Sequence, residues 1–118
     1  MLSQEELAAI EATLLPALER HHLRLLAHAL RTFQQAAGRC FGDLPAAAVL
    51  ADWAALQPAL SADPAFLPLL LAELAKAGAS LEAIAADCRC EPLALQLPQL
   101  LAWGRRQADQ RLQGDAPG

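Results

Sequence analysis

PALERHHLRLLAHALRTFQQAA, residues 16–37, is the stretch on which the fold turns. At about 100° per residue, Leu18, Leu25, Leu26, Ala29, Leu30 and Phe33 gather on one broad face. Arg20, Arg24, His28 and Arg31 gather on the other. That period belongs to a helix lying on a core, not to a strand. Pro16 suits a first turn, where its missing N–H has no intrahelical partner to lose, and Gly38 supplies a C-terminal stop.

Upstream, Ser3 and Glu6 have the spacing of a capping box, so a helix is expected from Gln4. Its apolar face, Leu7, Ile10 and Leu14, is rotated from that of the next segment, which predicts a break or kink at Pro16. Downstream, Arg39 to Asp43 reads as a connector. Asp43 and Pro45 then read as a cap and first-turn proline for a helix with Val49, Trp53, Leu56 and Leu60 on one stripe. Asp52 is its sole charge between Asp43 and Asp63, so this helix is expected to be buried on most sides or to sit in a subunit interface. Asp63-Pro64 repeats the cap-plus-proline signal. Phe66, Leu67, Leu70, Leu71 and Leu74 form the next apolar face, with a slight distortion expected at Pro68 and an end at Gly78.

Ser80 is expected to cap a short helix with Leu81, Ile84, Ala85 and Cys88 inward. Leu93, Leu95 and Leu97 alternate with polar or small residues in a strand-like period. A lone strand has no partner, so a loop or short helix is expected over 88–98. Pro98 opens a final helix through Leu100, Leu101 and Trp103 to about Leu112, and 113–118 is expected to fray. The resulting fold class is all-α: a compact bundle of five to six short helices with orthogonal packing, a helical domain over 1–112 and a tail over 113–118.

Composition agrees. The chain has 118 residues, 55% hydrophobic and 19% charged, enough apolar material for one core. Leu and Ala dominate, and the β-branched residues are just Ile10, Thr13, Thr32, Val49 and Ile84. Net charge is -4, which disfavours general nucleic-acid binding. The apolar runs stop well short of the roughly 20 residues a membrane span needs. No secretory leader is expected at the N-terminus. The odd cysteine count suits reduced thiols in a cytoplasmic protein.

The chemistry-bearing residues do not assemble into a catalytic motif. His21 and His28 share a helical face but stand about 10 Å apart along the axis, too far for one metal ion. His22 turns toward the apolar arc, where a structural role is expected. Arg20, Arg24, His28 and Arg31 offer a basic face for an acidic partner or anion. Trp53 and Trp103 are candidate interface anchors, because aromatics are enriched at contact centres.

The reading that follows is a non-enzymatic protein-interaction module with a protein partner or a second copy of itself, and with no cofactor or metal. Two alternatives stand beside it. The run Ser80–Asp87, with Ile84-Ala85 at the apolar-small pair, resembles the first helix of a helix-turn-helix, which implies a transcription-associated regulator using residues 80–106. Against it, the turn glycine is replaced near Arg89, and Leu93 to Leu101 carries no charge. The second alternative is a thiol or zinc protein centred on Cys88 and Cys90, which needs Cys40 and a histidine to converge on them.

Overall fold

The computed structural model of the protein describes residues 2–11 and 17–115. In chain order it contains α1 (Gln4–Glu11), α2 (Ala17–Ala37), α3 (Ala47–Ala55), α4 (Pro58–Ser61), α5 (Phe66–Cys88), a 3-10 turn at Pro92–Ala94, and α6 (Leu97–Asp115). No strand occurs among the described residues. The all-helical bundle expected from the sequence is therefore observed. No helix among the described residues is long and apolar enough to cross a membrane. The expected break at Pro16, together with Leu14, lies outside the described residues. So do residues 116–118 of the tail, while α6 itself continues past Leu112 to Asp115.

α2 is the axis of the bundle. It packs against α1, α3, α5, α6 and the 3-10 turn. Its buried stripe is Leu23, Leu26, Ala27, Ala29, Leu30 and Phe33. This arc is rotated from the one expected: Leu23 is buried, and Leu25, assigned to the core by the sequence pattern, is 52% exposed. The cause is α6. Gly104 brings that helix so close to Leu23 that a methyl group added there would lie 2.9 Å from Leu23 Cδ1. Contact with α6 buries the Leu23 side of α2, and Leu25 is left at the edge of the core.

The capping box forms at α1. The Glu6 amide donates to Ser3 Oγ at 3.1 Å, and the Ser3 amide donates to Glu6 Oε1 at 3.2 Å. α2 ends in a Schellman motif. Gly38, at φ 70°, donates to the Gln35 carbonyl, and Arg39 donates to that of Gln34. The next helix does not start as expected. Asp43 caps nothing: α3 begins at Ala47 after Ala46, without a side-chain cap, and Pro45 precedes it. The Arg39 guanidinium instead gathers the carbonyls of Phe41 and Asp43, at 2.8 and 3.1 Å, and rounds off the connector.

α5 departs most from expectation. Gly78 does not end it, and Ser80 does not start another helix. The 23 residues from Phe66 to Cys88 form one rod. Gly78 is a packing notch, where an added methyl would stand 3.3 Å from both the Phe33 ring and Leu44. An intrinsically helix-weakening residue is tolerated there because two core side chains occupy the space. Pro68 also causes no break. It is the third residue of the helix, where the lost N–H is one that no intrahelical carbonyl would accept. Asp63 does act near the expected start, with Oδ1 accepting from the Phe66 amide at 3.3 Å.

The C-terminal end of α5 repeats the geometry of the first stop without its glycine. Arg89 takes the left-handed conformation, φ 55° and ψ 45°, while the Cys90 amide donates to Ala85 and that of Arg89 to Ala86. Residues 89–96 then lead to α6, a longer link than the three or four residues of a DNA-binding helix-turn-helix. Leu93 and Leu95 are both buried, which explains their alternation without any strand. The Leu93 amide donates to the Gly42 carbonyl at 3.1 Å, and its carbonyl accepts from Gln34 Nε2 at 2.9 Å.

Two glycine-related substitutions should move stability in opposite directions. Arg89→Gly relieves the left-handed strain and should raise stability by about 1 kcal/mol. Gly104→Ala gains about 1 kcal/mol of helix propensity, but crowding against buried Leu23 should outweigh it at about 1–3 kcal/mol. Thermal and urea unfolding of the two variants beside the parent checks both signs.

Candidate partner-binding surface

The basic face of α2 is not uniform. The Arg31 guanidinium is engaged within the fold: one nitrogen donates to Glu6 Oε2 at 2.7 Å and the other to Gln34 Oε1 at 3.0 Å. Gln34, itself buried, passes the chain on to the Leu93 carbonyl. A polar relay therefore runs from α1 through α2 to the 3-10 turn. Arg31 hydrogen bonding holds the Glu6 carboxyl below its usual pKa against the opposing effect of burial, and the Ser3 contacts add to the lowering. Arg20 and Arg24 are half-buried on the same helix, and His21, His22 and His28 are exposed. His22 is not turned into the core as expected: its ring lies against Trp103, with centroids 5.7 Å apart and planes tilted by 35°.

Two grooves flank this part of α2. One, of about 370 Å³, runs between α2 and α5, with Leu25, Leu26 and Ala29 facing Leu70, Leu74 and Ala77. His28, Glu73 and Lys76 are on its walls, and Lys76 pairs with Glu73 at 3.2 Å in the open. The other, of about 330 Å³, runs between α2 and α6 and includes His21, Trp103, Gly104 and Gln107. His22 and Leu25 line both grooves and so form the ridge between them.

A second apolar surface lies on α3 and the start of α5. Of the stripe expected on α3, Val49 is 48% exposed, Leu56 is 79% exposed, and Trp53 is half-buried against the core. The residues that α3 buries are Leu50 and Ala54. The stripe is thus turned partly outward, and α3 ends at Ala55, so Leu60 belongs to α4. On α5, Phe66 and Leu69 are exposed as well. The sequence pattern placed Val49, Trp53 and Leu56 on one stripe and assigned Leu25 and Phe66 to core-facing sides, yet Leu25 and Phe66 are exposed, as is Leu69, which the pattern did not place. An apolar residue at the edge of a helical stripe carries no signal of which side a neighbouring helix will cover.

The thiols do not converge. Cys40 is exposed, Cys88 and Cys90 are half-buried, and all three are free. Among the described residues, no three His, Cys, Asp or Glu side chains come together as a metal site would require.

The described residues thus form a small helical scaffold with exposed apolar side chains on α3, its C-cap and the start of α5. Residues 2–111 match the family described as NDH complex assembly factor CRR9, and the chain belongs to that family. No curated protein and no solved structure matches it. An assembly-factor family suggests a non-enzymatic role through contact with protein components of a complex.

Acid should test the relay. Because the folded-state pKa of Glu6 is depressed, its stabilising pairing is present above the ordinary carboxylate range and is lost as pH falls through the lowered value. Unfolding followed between about pH 6 and pH 3 should show the protein weakening on the acid side. Glu6→Gln should weaken the protein at pH 6 and flatten the acid limb; an unchanged limb would mean that the pair contributes nothing.

Proposed function

We propose that the protein serves the assembly of an NDH complex by holding one of that complex's protein components, with the outer face of α3 and the first turn of α5 as the contact. The observation that carries this reading is the exposure of Val49 and Leu56, at helical spacing on α3 and its C-cap, together with that of Phe66 and Leu69 at the start of α5. Exposed apolar side chains standing singly are ordinary on a small protein. Here four fall on α3, its C-cap and the start of α5, a helix that packs on α3, and we read them as one contact face.

Trp53 suits an anchor in such a face. It shares the stripe with Val49 and Leu56 at helical spacing, and its inner edge rests on the core. A half-buried tryptophan presents a pre-ordered apolar surface at little entropic cost, which is why aromatics concentrate the energy of interfaces. Around it the surface is nearly free of charge, with Asp52 the lone ionic side chain of α3. No chemical step is assigned: the work is contact, and its product is a component held ready for incorporation. Self-association through the same face is the second reading, favoured by the same stripe.

The test is co-expression of the chain with the individual components of the NDH complex, followed by co-purification and native mass spectrometry. The parent chain should carry a component with it. Val49→Ser combined with Leu56→Ser should lose it by at least about tenfold while unfolding at nearly the same temperature, since both side chains are largely outside the core. Undiminished retention by the double variant would remove α3 as the contact. A doubled mass of the parent alone, abolished in the variant, would establish self-association instead.

A further inference from the structure

Between Arg39 and Lys76 the chain carries four carboxylates and not one Lys, Arg or His. This stretch builds α3 and the start of α5, where Val49, Leu56, Phe66 and Leu69 are exposed. Along α3 and its C-cap the exposed residues are Ala47, Ala48, Val49, Asp52, Ala55 and Leu56, and Asp52 alone among them is polar. At about 100° per residue, Asp52 falls in the middle of the outward side, with Val49 and Leu56 to one flank and Ala48 and Ala55 to the other. Among the described residues no cation pairs with it. On the adjoining helix, Asp63 is engaged with the Phe66 amide, and Glu73 and Lys76 pair with each other at 3.2 Å.

We infer that the partner held on α3 is a different protein whose apolar contact surface carries a lysine or arginine opposite Asp52. This rests on the α3 contact assigned above and adds the chemistry of what that contact holds. Covering Val49 and Leu56 takes Asp52 out of water as well, because it stands beside them on the same side of the helix. A carboxylate enclosed by apolar groups without a counter-charge is strongly unfavourable. The stretch that builds this face has no spare cation to offer, so the partner supplies it. Ala48 and Ala55 leave room on the open flank of Asp52 for the stem of a long basic side chain to lie along α3.

The same carboxylate selects against the other occupants. Asp52 lies midway between Ala48 and Leu56, so a two-fold contact centred on this stripe sets it against its own copy. Like charges facing each other in an apolar contact repel, and α3 has no cation to stand between them. An acidic segment or an anionic lipid surface meets the same repulsion. A wholly uncharged apolar surface would enclose Asp52 and leave it unpaired. One charge in the middle of the face thus decides between a second copy of this chain and a different protein, in favour of the latter.

The test places a photo-crosslinking amino acid at position 55 of the full chain, an exposed alanine beside Asp52, in cells that make the NDH complex. The crosslinked peptide is sequenced, and the captured protein is purified for binding measurements. The peptide should come from a different protein and hold a Lys or Arg within a few residues of the crosslink. Asp52→Asn should weaken binding about tenfold and Asp52→Lys about a hundredfold, with unfolding temperatures near that of the parent. Changing the captured Lys or Arg to Glu should return the affinity for Asp52→Lys to within about threefold of the parent pair. Unchanged binding by Asp52→Asn and Asp52→Lys, or no recovery in the swap, would overturn the inference, as would capture of a second copy, a lipid or a segment without a basic residue. Val49→Ser combined with Leu56→Ser separates that result from failure of the contact itself. If this double variant loses the captured protein while Asp52→Lys keeps it, α3 remains the contact and the counter-charge alone falls. Retention by both variants, or no crosslink from position 55, removes the contact and the inference together.

Discussion

The burial of one side of α2 governs the rest of the molecule. It is the most sharply amphipathic of the long described helices, whereas α5 is so rich in Leu and Ala that several of its faces would serve equally well inside. Once Leu23, Leu26, Leu30 and Phe33 are committed to the core, the arginines and histidines between them are committed to the outside. Every other helix then orients by what α2 leaves available. Two glycines set how near the neighbours come: Gly104 admits Leu23, and Gly78 admits Phe33. Removing a side chain on one helix and filling the space from the other is the close packing that protein interiors require.

Much of this was legible in the sequence wherever local chemistry decides. The Ser3–Glu6 box, the Gly38 stop, the helical character of nearly every segment and the absence of a strand at 93–97 all follow from interactions within a few residues. The α3 stripe was also legible as a surplus of apolar residues, and the structure turns much of it outward. What local chemistry could not give is which of two roles a residue plays when both are physically sound. Gly78 reads as a terminator and serves as a notch, a distinction made by Phe33 from another helix. Asp43 has the side chain of a cap, yet the Arg39 side chain shapes the loop around it.

The same limit applies to the surface. The sequence marked Arg31 together with Arg20 and Arg24, since all three share a face of α2. The structure shows that the approach of α1 draws Arg31 into a pair with Glu6. Leu25 was assigned to the core because its spacing fits, and it is exposed because α6 lies closer to Leu23. Arg89 is the converse case. Its left-handed conformation sits where the sequence pattern asked for glycine, so the turn is made by the backbone geometry with an unfavourable residue in place.

The polar relay has a consequence in time. Its last link joins Gln34 to a carbonyl 59 residues later, and α6, which covers the Leu23 side of α2, is made last of the described helices. Synthesis proceeds at roughly 5–20 residues per second, so α2 waits several seconds before its covering helix exists. In that interval α1, α3 and α5 can reach its stripe while the Leu23 side stays open. The Leu23 side of the core therefore closes only after α6 is made. A truncated product lacking the last helix would resemble the clients of an assembly pathway more than a member of one: a helix with an uncovered side, soluble only while something else shields it.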